Sequence, residues 1–175
     1  MTQSHDQLDD DRTIRLAEHL AFSRSFQSLF NEGMTLVDET AAYLDGDGRT
    51  AAKRLPKSCA TLYAAESMRL TTRLMQIASW LLLQRAANQG DMSRAQVEAE
   101  KVKIRLEGVG TGRETPLFAE LPEAFRDLVD RVLKLERRIV MLDREIYGTG
   151  SFDADEEPRN PVGEQLNLLK TAFNG

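Results

Sequence analysis

Apolar residues recur at intervals of three or four along most of the chain, which is the spacing of one face of an α-helix. The first long stretch covers residues 25–44, and its apolar face consists of Phe26, Phe30, Gly33, Val37, Ala41 and Leu44. Residues 13–20 form a short amphipathic lead-in. Ser25 is placed to cap the start of this helix. Residues 45–48, DGDG, end it, because aspartate and glycine tolerate left-handed backbone.

The second stretch, residues 56–88, predicts a helix of roughly 50 Å that starts near Pro56 and is terminated by Gly90. Its core stripe is Tyr63, Leu70, Leu74, Ile77 and Leu81, and its flanking stripe is Met68, Met75 and Leu82. Residues 80–83, WLLL, cover most of the circumference, because successive helical residues turn by about 100°. One neighbour cannot bury all four, so this helix needs at least two packing partners. We interpret Met68 and Met75 as core filler.

The third stretch, residues 122–147, carries a heptad-like seam formed by Phe125, Leu128, Val132, Leu135, Ile139, Leu142 and Ile146. Further apolar positions widen this seam, which favours a bundle helix over an isolated two-stranded coil. Between the second and third stretches, Ser93 and Gln96 have the spacing of a capping box and predict a short helix to about residue 106. Apolar and charged residues alternate over residues 102–106, which would also suit a strand. Residues 108–116 form a glycine-rich loop.

These elements predict an all-α fold, an antiparallel three-helix bundle, over residues 14–147. The acidic segment 1–13 is predicted to be disordered, because it has little apolar material to bury. Residues 148–175 are predicted to be a flexible acidic tail. Within that tail a short amphipathic helix is predicted to dock on a partner or on the bundle itself, and the alternative is a permanently packed fourth helix. Its partner-docking face consists of Val162, Leu166, Leu169 and Phe173.

Composition narrows the functional classes. The 175 residues suit one domain, and the single cysteine suits a reducing compartment. The net charge of −5 sits at the two ends: residues 1–13 carry −3, residues 14–147 carry +1, and residues 148–175 carry −3. An acidic chain repels nucleic acid unless it has a local basic patch.

The apolar run 74–83 is too short to cross a bilayer, and the polar start does not resemble a signal peptide. We therefore expect a cytoplasmic protein with no membrane contact.

No pattern of catalytic or metal-binding residues is visible, so we expect no enzymatic activity, metal or cofactor. His5 and His19 lack partners at the spacing of a zinc or di-iron motif. Cys59 lies near Lys57 and a helix start, both of which lower a thiol pKa. With no second cysteine or nearby histidine, we interpret it as a buried packing residue. The GVGTG loop at residues 108–112 lacks the lysine and hydroxyl residue of a phosphate loop.

Two surface features remain as candidate contacts. The excess apolar surface of the second helix predicts a homodimer with contact or core positions Met75, Trp80, Leu82 and Leu83. A basic stripe could contact an acidic partner, and it consists of Lys53, Arg54, Lys57, Arg69 and Arg73. The favoured interpretation of that stripe is a solvated face neutralised by Glu66, or by Asp38 and Glu39 of the first helix.

Three blocks of sequence carry a family resemblance. They read FxxGMxLVxETAxYLDGxGR over residues 30–49, SMRLTTRLMQxASWLL over residues 67–82, and NPV over residues 160–162. Together they resemble the family of the regulator of CtrA degradation, RcdA, known from alphaproteobacteria. The resemblance covers most of residues 14–147, and the second block is its most specific part.

The resemblance implies a dimeric three-helix bundle without enzymatic activity that acts as an adaptor for ClpXP, an ATP-driven unfoldase and peptidase. It also implies delivery of cell-cycle regulators, notably the response regulator CtrA, contacts with other adaptors, and concentration at a cell pole. Specificity for the protease comes from the resemblance alone. The residues leave two alternatives open: a DNA-associated or transcriptional regulatory dimer that uses the basic stripe, and an enzyme with a site in the bundle.

Overall fold

The computed structural model describes the backbone of residues 4–148 and the side chains of residues 24–148. Within these residues it is all-α and has no strand, which confirms the predicted fold class. The helices are α1 (Ser4–Asp45), α2 (Asp47–Ala52), α3 (Lys57–Gln89), α4 (Arg94–Lys101) and α5 (Glu123–Tyr147), with a 3₁₀ helix at Pro116–Glu120. No helix in this part of the chain is both long and apolar enough to cross a membrane.

The chain divides into two compact units, Met1–Val140 and Met141–Gly175. All packing described below belongs to the first unit. The predicted docking face of the tail, Val162, Leu166, Leu169 and Phe173, lies outside the described residues. The side chains of His5 and His19 also lie outside them.

The start of α1 differs from the prediction. The helix begins at Ser4, so Ser25 lies inside it and is not its N-cap, and residues 4–13 belong to it. Extending an existing helix needs no new nucleus and adds one backbone hydrogen bond for each residue that is fixed. At the other end α1 stops at Asp45 as expected, but a short helix, α2, follows directly and was not predicted.

The boundaries of the later helices agree with the sequence signals. Gly90 ends α3 in the left-handed region with φ of 79°. The Ser93 hydroxyl accepts a hydrogen bond from the Gln96 N–H at 3.3 Å, and the Gln96 side chain accepts one from the Ser93 N–H at 2.8 Å. The predicted capping box is therefore confirmed, although α4 ends at Lys101, before residue 106.

The core lies between α1, α3 and α5. All five positions of the predicted α3 core stripe are buried: Tyr63, Leu70, Leu74, Ile77 and Leu81. The first five positions of the α5 seam are buried too: Phe125, Leu128, Val132, Leu135 and Ile139. Gly33 allows α1 to approach closely, because a Cβ atom there would overlap the Leu81 side chain. The predicted periodicity therefore identified the packed faces of two helices correctly.

The three long helices do not simply alternate in direction. Two salt bridges show that α1 runs antiparallel to α5: Glu39 with Arg131, and Glu32 with Arg138. Two contacts show that α3 runs parallel to α5: Tyr63 with Phe125, and Arg73 with Glu136. The parallel pair arises because residues 102–121 run back along α3 before α5 begins. The predicted antiparallel packing thus holds between α1 and α5 and does not hold between α3 and α5.

Candidate interaction surfaces on helix α3

An apolar groove lies between α1 and α3. It has a volume of about 260 Å³ and is lined by Val37, Thr40, Ala41, Leu44, Thr71, Leu74, Met75 and Ala78. Three apolar side chains of α3, spaced seven residues apart, are exposed: Met68 at 73%, Met75 at 61% and Leu82 at 53%. We call the groove together with these three side chains the apolar surface. Apolar surface of this kind is typical of a site that binds another polypeptide.

The predicted contact residues separate into two groups. Met75 and Leu82 are exposed, and Leu83 is half-buried. Trp80 is 1% exposed and its ring lies 6.5 Å from that of Phe26, so it belongs to the core and is not available to a second copy. The interpretation of Met68 and Met75 as core filler is wrong. Their neighbours on the helix meet α1 and α5, which turns both methionines outward.

The opposite side of α3 buries polar side chains. Glu66 is 2% exposed and Arg73 is 3% exposed. The Arg73 Nε donates to the Glu136 carboxylate at 2.8 Å, and its guanidinium also donates to the Val109 carbonyl. The Glu66 carboxylate pairs with Arg69 and accepts a hydrogen bond from the Gly112 N–H at 2.8 Å. These buried charges are therefore paired, as buried charges must be.

The segment that lies over this polar side is residues 105–112, which we call the strap. The Gln76 side chain accepts a hydrogen bond from the Arg105 N–H at 2.9 Å and holds the start of the strap. Leu106 is half-buried, whereas Arg105 and Glu107 are exposed. This alternation is typical of extended chain, and it explains why the sequence around residue 104 also suited a strand.

The predicted basic stripe is not one surface. Arg73 is buried in its ion pair with Glu136, so it is unavailable to an acidic partner, and Arg69 pairs with Glu66. The predicted neutralisation by Glu66 holds for Arg69, whereas Arg73 is not on a solvated face and pairs with Glu136, and Glu39 pairs with Arg131. The remaining members, Lys53, Arg54 and Lys57, are exposed, and no ion pair of theirs occurs in the described part of the chain.

Two carboxylates that pair with arginine differ in their pKa. A hydrogen bond from Arg131 lowers the pKa of Glu39, which is largely exposed. Burial raises the pKa of Glu136, although Arg73 acts in the opposite direction. The two residues show the two main causes of pKa shifts, a favourable charged partner and desolvation.

Cys59 is buried, as predicted, and its thiol donates to the Glu120 carboxylate at 3.2 Å. This hydrogen bond, together with burial, raises the thiol pKa. The expectation that Lys57 and the helix start lower that pKa is wrong, because the neighbouring carboxylate favours the protonated thiol. A thiol held protonated is a poor nucleophile, so the packing interpretation stands.

The described residues contain no group of three or more histidine, cysteine, aspartate or glutamate side chains that could hold a metal. In the glycine-rich loop, the Gly112 amide already binds the Glu66 carboxylate. A second cavity of about 350 Å³ lies beside the 3₁₀ helix. Two of its lining residues, Arg113 and Asp130, pair with each other at 2.8 Å.

The sequence analysis missed the roles of Glu66, Gln76 and Glu136 in binding the strap and Arg73. One signal was present, since Glu66 and Arg73 are seven residues apart and therefore share a helical face. A polar pair of this kind is usually solvated, and its burial depends on a segment some 40 residues later in the chain.

Comparisons with known proteins identify the family. A family model described as "Protein of unknown function (DUF1465)" matches residues 17–173. The crystal structure of RcdA from Caulobacter crescentus CB15 is similar, with 44% sequence identity and a TM-score of 0.57, over 75% of this chain and 96% of that chain. The comparison with curated proteins found no match. The resemblance to RcdA is thereby confirmed, and the chain belongs to the DUF1465 family.

Proposed function

We propose that this protein is a non-enzymatic adaptor in regulated proteolysis that helps deliver cell-cycle regulators of the CtrA type to the ClpXP protease. The likeness to RcdA supports this role. The observation that carries it is the apolar surface, which leaves methionine and leucine side chains exposed to solvent. Such a surface suits the binding of other polypeptides, which is the task of an adaptor.

We further propose that the apolar surface forms a homodimer contact that includes Met75, Leu82 and Leu83. The groove is lined on both helices by residues spaced over two turns, such as Val37 and Leu44 on α1. Pairs of helices with this spacing accept a further helix through anchors at intervals of three, four and seven residues. A second copy brings the same surface, and a two-fold dimer buries both at once.

The tail contributes a second contact in this proposal. Its apolar face, Val162, Leu166, Leu169 and Phe173, would dock as a short helix on a partner such as the protease, a substrate or another adaptor. A free helix of this length is marginal in water, so its docking depends on the partner. Partner contacts would also concentrate this cytoplasmic protein at a cell pole.

A reconstituted degradation assay tests the adaptor role. Purified ClpXP, a CtrA-type response regulator and the full chain are combined, and loss of the regulator is followed over time. We expect the full chain to accelerate degradation and Ala78→Glu, in the groove, to abolish the acceleration. Lys134→Glu, an exposed change on α5, is the matched control and should retain it. An unchanged rate in the presence of the wild-type chain, with any further adaptors of the same cells supplied, would refute the role.

The DNA-associated alternative is not favoured by the distribution of charge. Only Lys53, Arg54 and Lys57 of the five stripe residues are free to meet phosphates, since Arg69 and Arg73 are paired within the bundle. A titration of duplex DNA at increasing salt distinguishes the two functions, because binding to phosphates weakens steeply as salt rises.

A further inference from the structure

The strap is held by side chains of α3 and not by its own backbone. Within the described residues, positions 105–111 make no main-chain to main-chain hydrogen bond. Three α3 side chains bind the strap instead: Gln76 accepts from the Arg105 N–H, Arg73 donates to the Val109 carbonyl, and Glu66 accepts from the Gly112 N–H. Each of them binds a main-chain group that any extended peptide possesses.

Two positions of the strap restrict the side chain: Gly108 by its backbone, with φ of 111°, and Gly112 by lack of space. A Cβ atom on Gly112 would lie 2.6 Å from the Glu66 Oε1 and 3.0 Å from the Leu62 Cδ1. Glu66 is buried and tied to Arg69, so it cannot move aside freely. By contrast, a Cβ atom on Gly110 would meet nothing within 4 Å. Glycine is therefore selected by space where the chain meets Glu66, and the three hydrogen bonds from α3 reach main-chain groups of the strap.

The side chains beneath the strap are charged and are covered by it. Glu66 and Arg73 are almost fully buried, and a buried charge that loses its partner is strongly destabilising. Arg73 would keep Glu136 without the strap but would lose the Val109 carbonyl. If the strap leaves, its hydrogen bonds to Arg73 and Glu66 pass to water or to another chain that offers the same N–H and C=O groups.

We propose that this side of α3 is a binding site for an extended peptide, that the strap fills it in cis, and that a glycine-containing extended segment of a partner protein can replace the strap. Recognition would be by main-chain hydrogen bonds, with specificity for glycine at the position opposite Glu66. The site lies on α3 away from the residues of the apolar surface, and it does not depend on the proposed function.

The strap has a large advantage over any free peptide. It is joined to α4 at one end and to the 3₁₀ helix at the other, so its effective concentration at the site is about millimolar or higher. A free peptide at micromolar concentration therefore binds the wild-type protein weakly. A change that weakens the strap alone should expose the site to a peptide added from solution.

The test uses a fluorescent peptide with the sequence of residues 103–114, KIRLEGVGTGRE, and anisotropy measurements on the full chain. Gly112→Val in the protein forces the strap away from Glu66, and the wild-type peptide should then bind about tenfold tighter or more than it binds the wild-type protein. The same Gly112→Val change in the peptide should abolish binding. One substitution thus has opposite effects in the two molecules.

Gly110→Val is the matched control in both the protein and the peptide, and it should change neither binding result. Circular dichroism establishes that each protein variant is folded. If Gly112→Val does not fold, Gly112→Ala provides the same comparison with a smaller side chain. The proposal is overturned if a folded Gly112 variant shows no saturable binding up to about 1 mM peptide, or if the Gly112→Val peptide binds as well as the wild type.

Discussion

The two sides of α3 reverse the usual distribution of side chains. Beside the groove, Met68 and Met75 face solvent, whereas under the strap Glu66 and Arg73 are buried. The exposed methionines of the apolar side need no hydrogen-bond partner, so this side stays available to another molecule. The polar side must be matched group by group, because each buried charge needs a partner. One helix therefore carries a surface that is open to any apolar ligand and a surface that accepts only a defined arrangement of hydrogen bonds.

The largest effect is expected under the strap. Arg73→Ala leaves Glu136 and the Val109 carbonyl without their shared donor, and we expect a loss of about 3–5 kcal/mol in the free energy of unfolding. Urea denaturation measures it. Arg94→Ala, which removes an exposed arginine whose partner Glu98 is also exposed, is the control and should cost about 1 kcal/mol or less. Equal losses in the free energy of unfolding for the two variants would show that the burial of Arg73 under the strap does not make it more important for stability than an exposed arginine.

Two adjacent leucines compare the packed and open sides directly. Leu81 is fully buried, and Leu81→Ala should lower the free energy of unfolding by about 2–5 kcal/mol. Leu82 is largely exposed, and Leu82→Ala should change it by about 0.5 kcal/mol or less when the protein is dilute. Thermal melting at low and high protein concentration separates folding from association. A loss for Leu82→Ala that persists at every dilution would mean that the monomer itself needs this side chain.

The apolar side should affect association rather than folding. Met75→Glu places a charge in the groove, and we expect dimerisation to weaken about tenfold or more while the melting temperature of the monomer hardly changes. Light scattering at tens of micromolar gives the mass. Lys134→Glu, exposed on α5 and outside this contact, tests whether charge alone is responsible. A wild-type chain that is monomeric at that concentration would contradict the proposed dimer.

The smallest effects concern pH. The pKa of Glu39 is lowered by Arg131, so its contribution to stability is present above the unfolded-state pKa and is lost as pH falls through the folded-state pKa. The pKa of Glu136 is raised by burial, so its contribution is present at low pH and is lost as pH rises through its folded-state pKa. Denaturation across the acid range gives the free energy of unfolding of Glu39→Gln and Glu136→Gln relative to the wild type. We expect these two differences to change with pH in opposite directions. Parallel trends would show that one of these assignments is wrong.

Sequence reasoning was most successful where structure depends on nearby residues. The capping box at Ser93, the end of α3 at Gly90 and the buried seam of α5 all follow from residues within one or two turns. It failed at the start of α1 and at α2. In both places helix continued through polar or glycine-containing sequence that local preferences treat as a boundary. Propagation from a packed helix outweighs such weak preferences.

The sequence by itself determined the all-α class, the extent of α3 and α5, and the residues of their packed stripes. These properties depend on helical periodicity, which acts between residues three or four apart. The tertiary structure alone decided which remaining side of α3 faces solvent, because the return of residues 102–121 along the helix covers Glu66 and Arg73 and leaves Met68 and Met75 bare. A long-range contact can supply partners for buried charges, and no local pattern of residues reveals where such a contact will form.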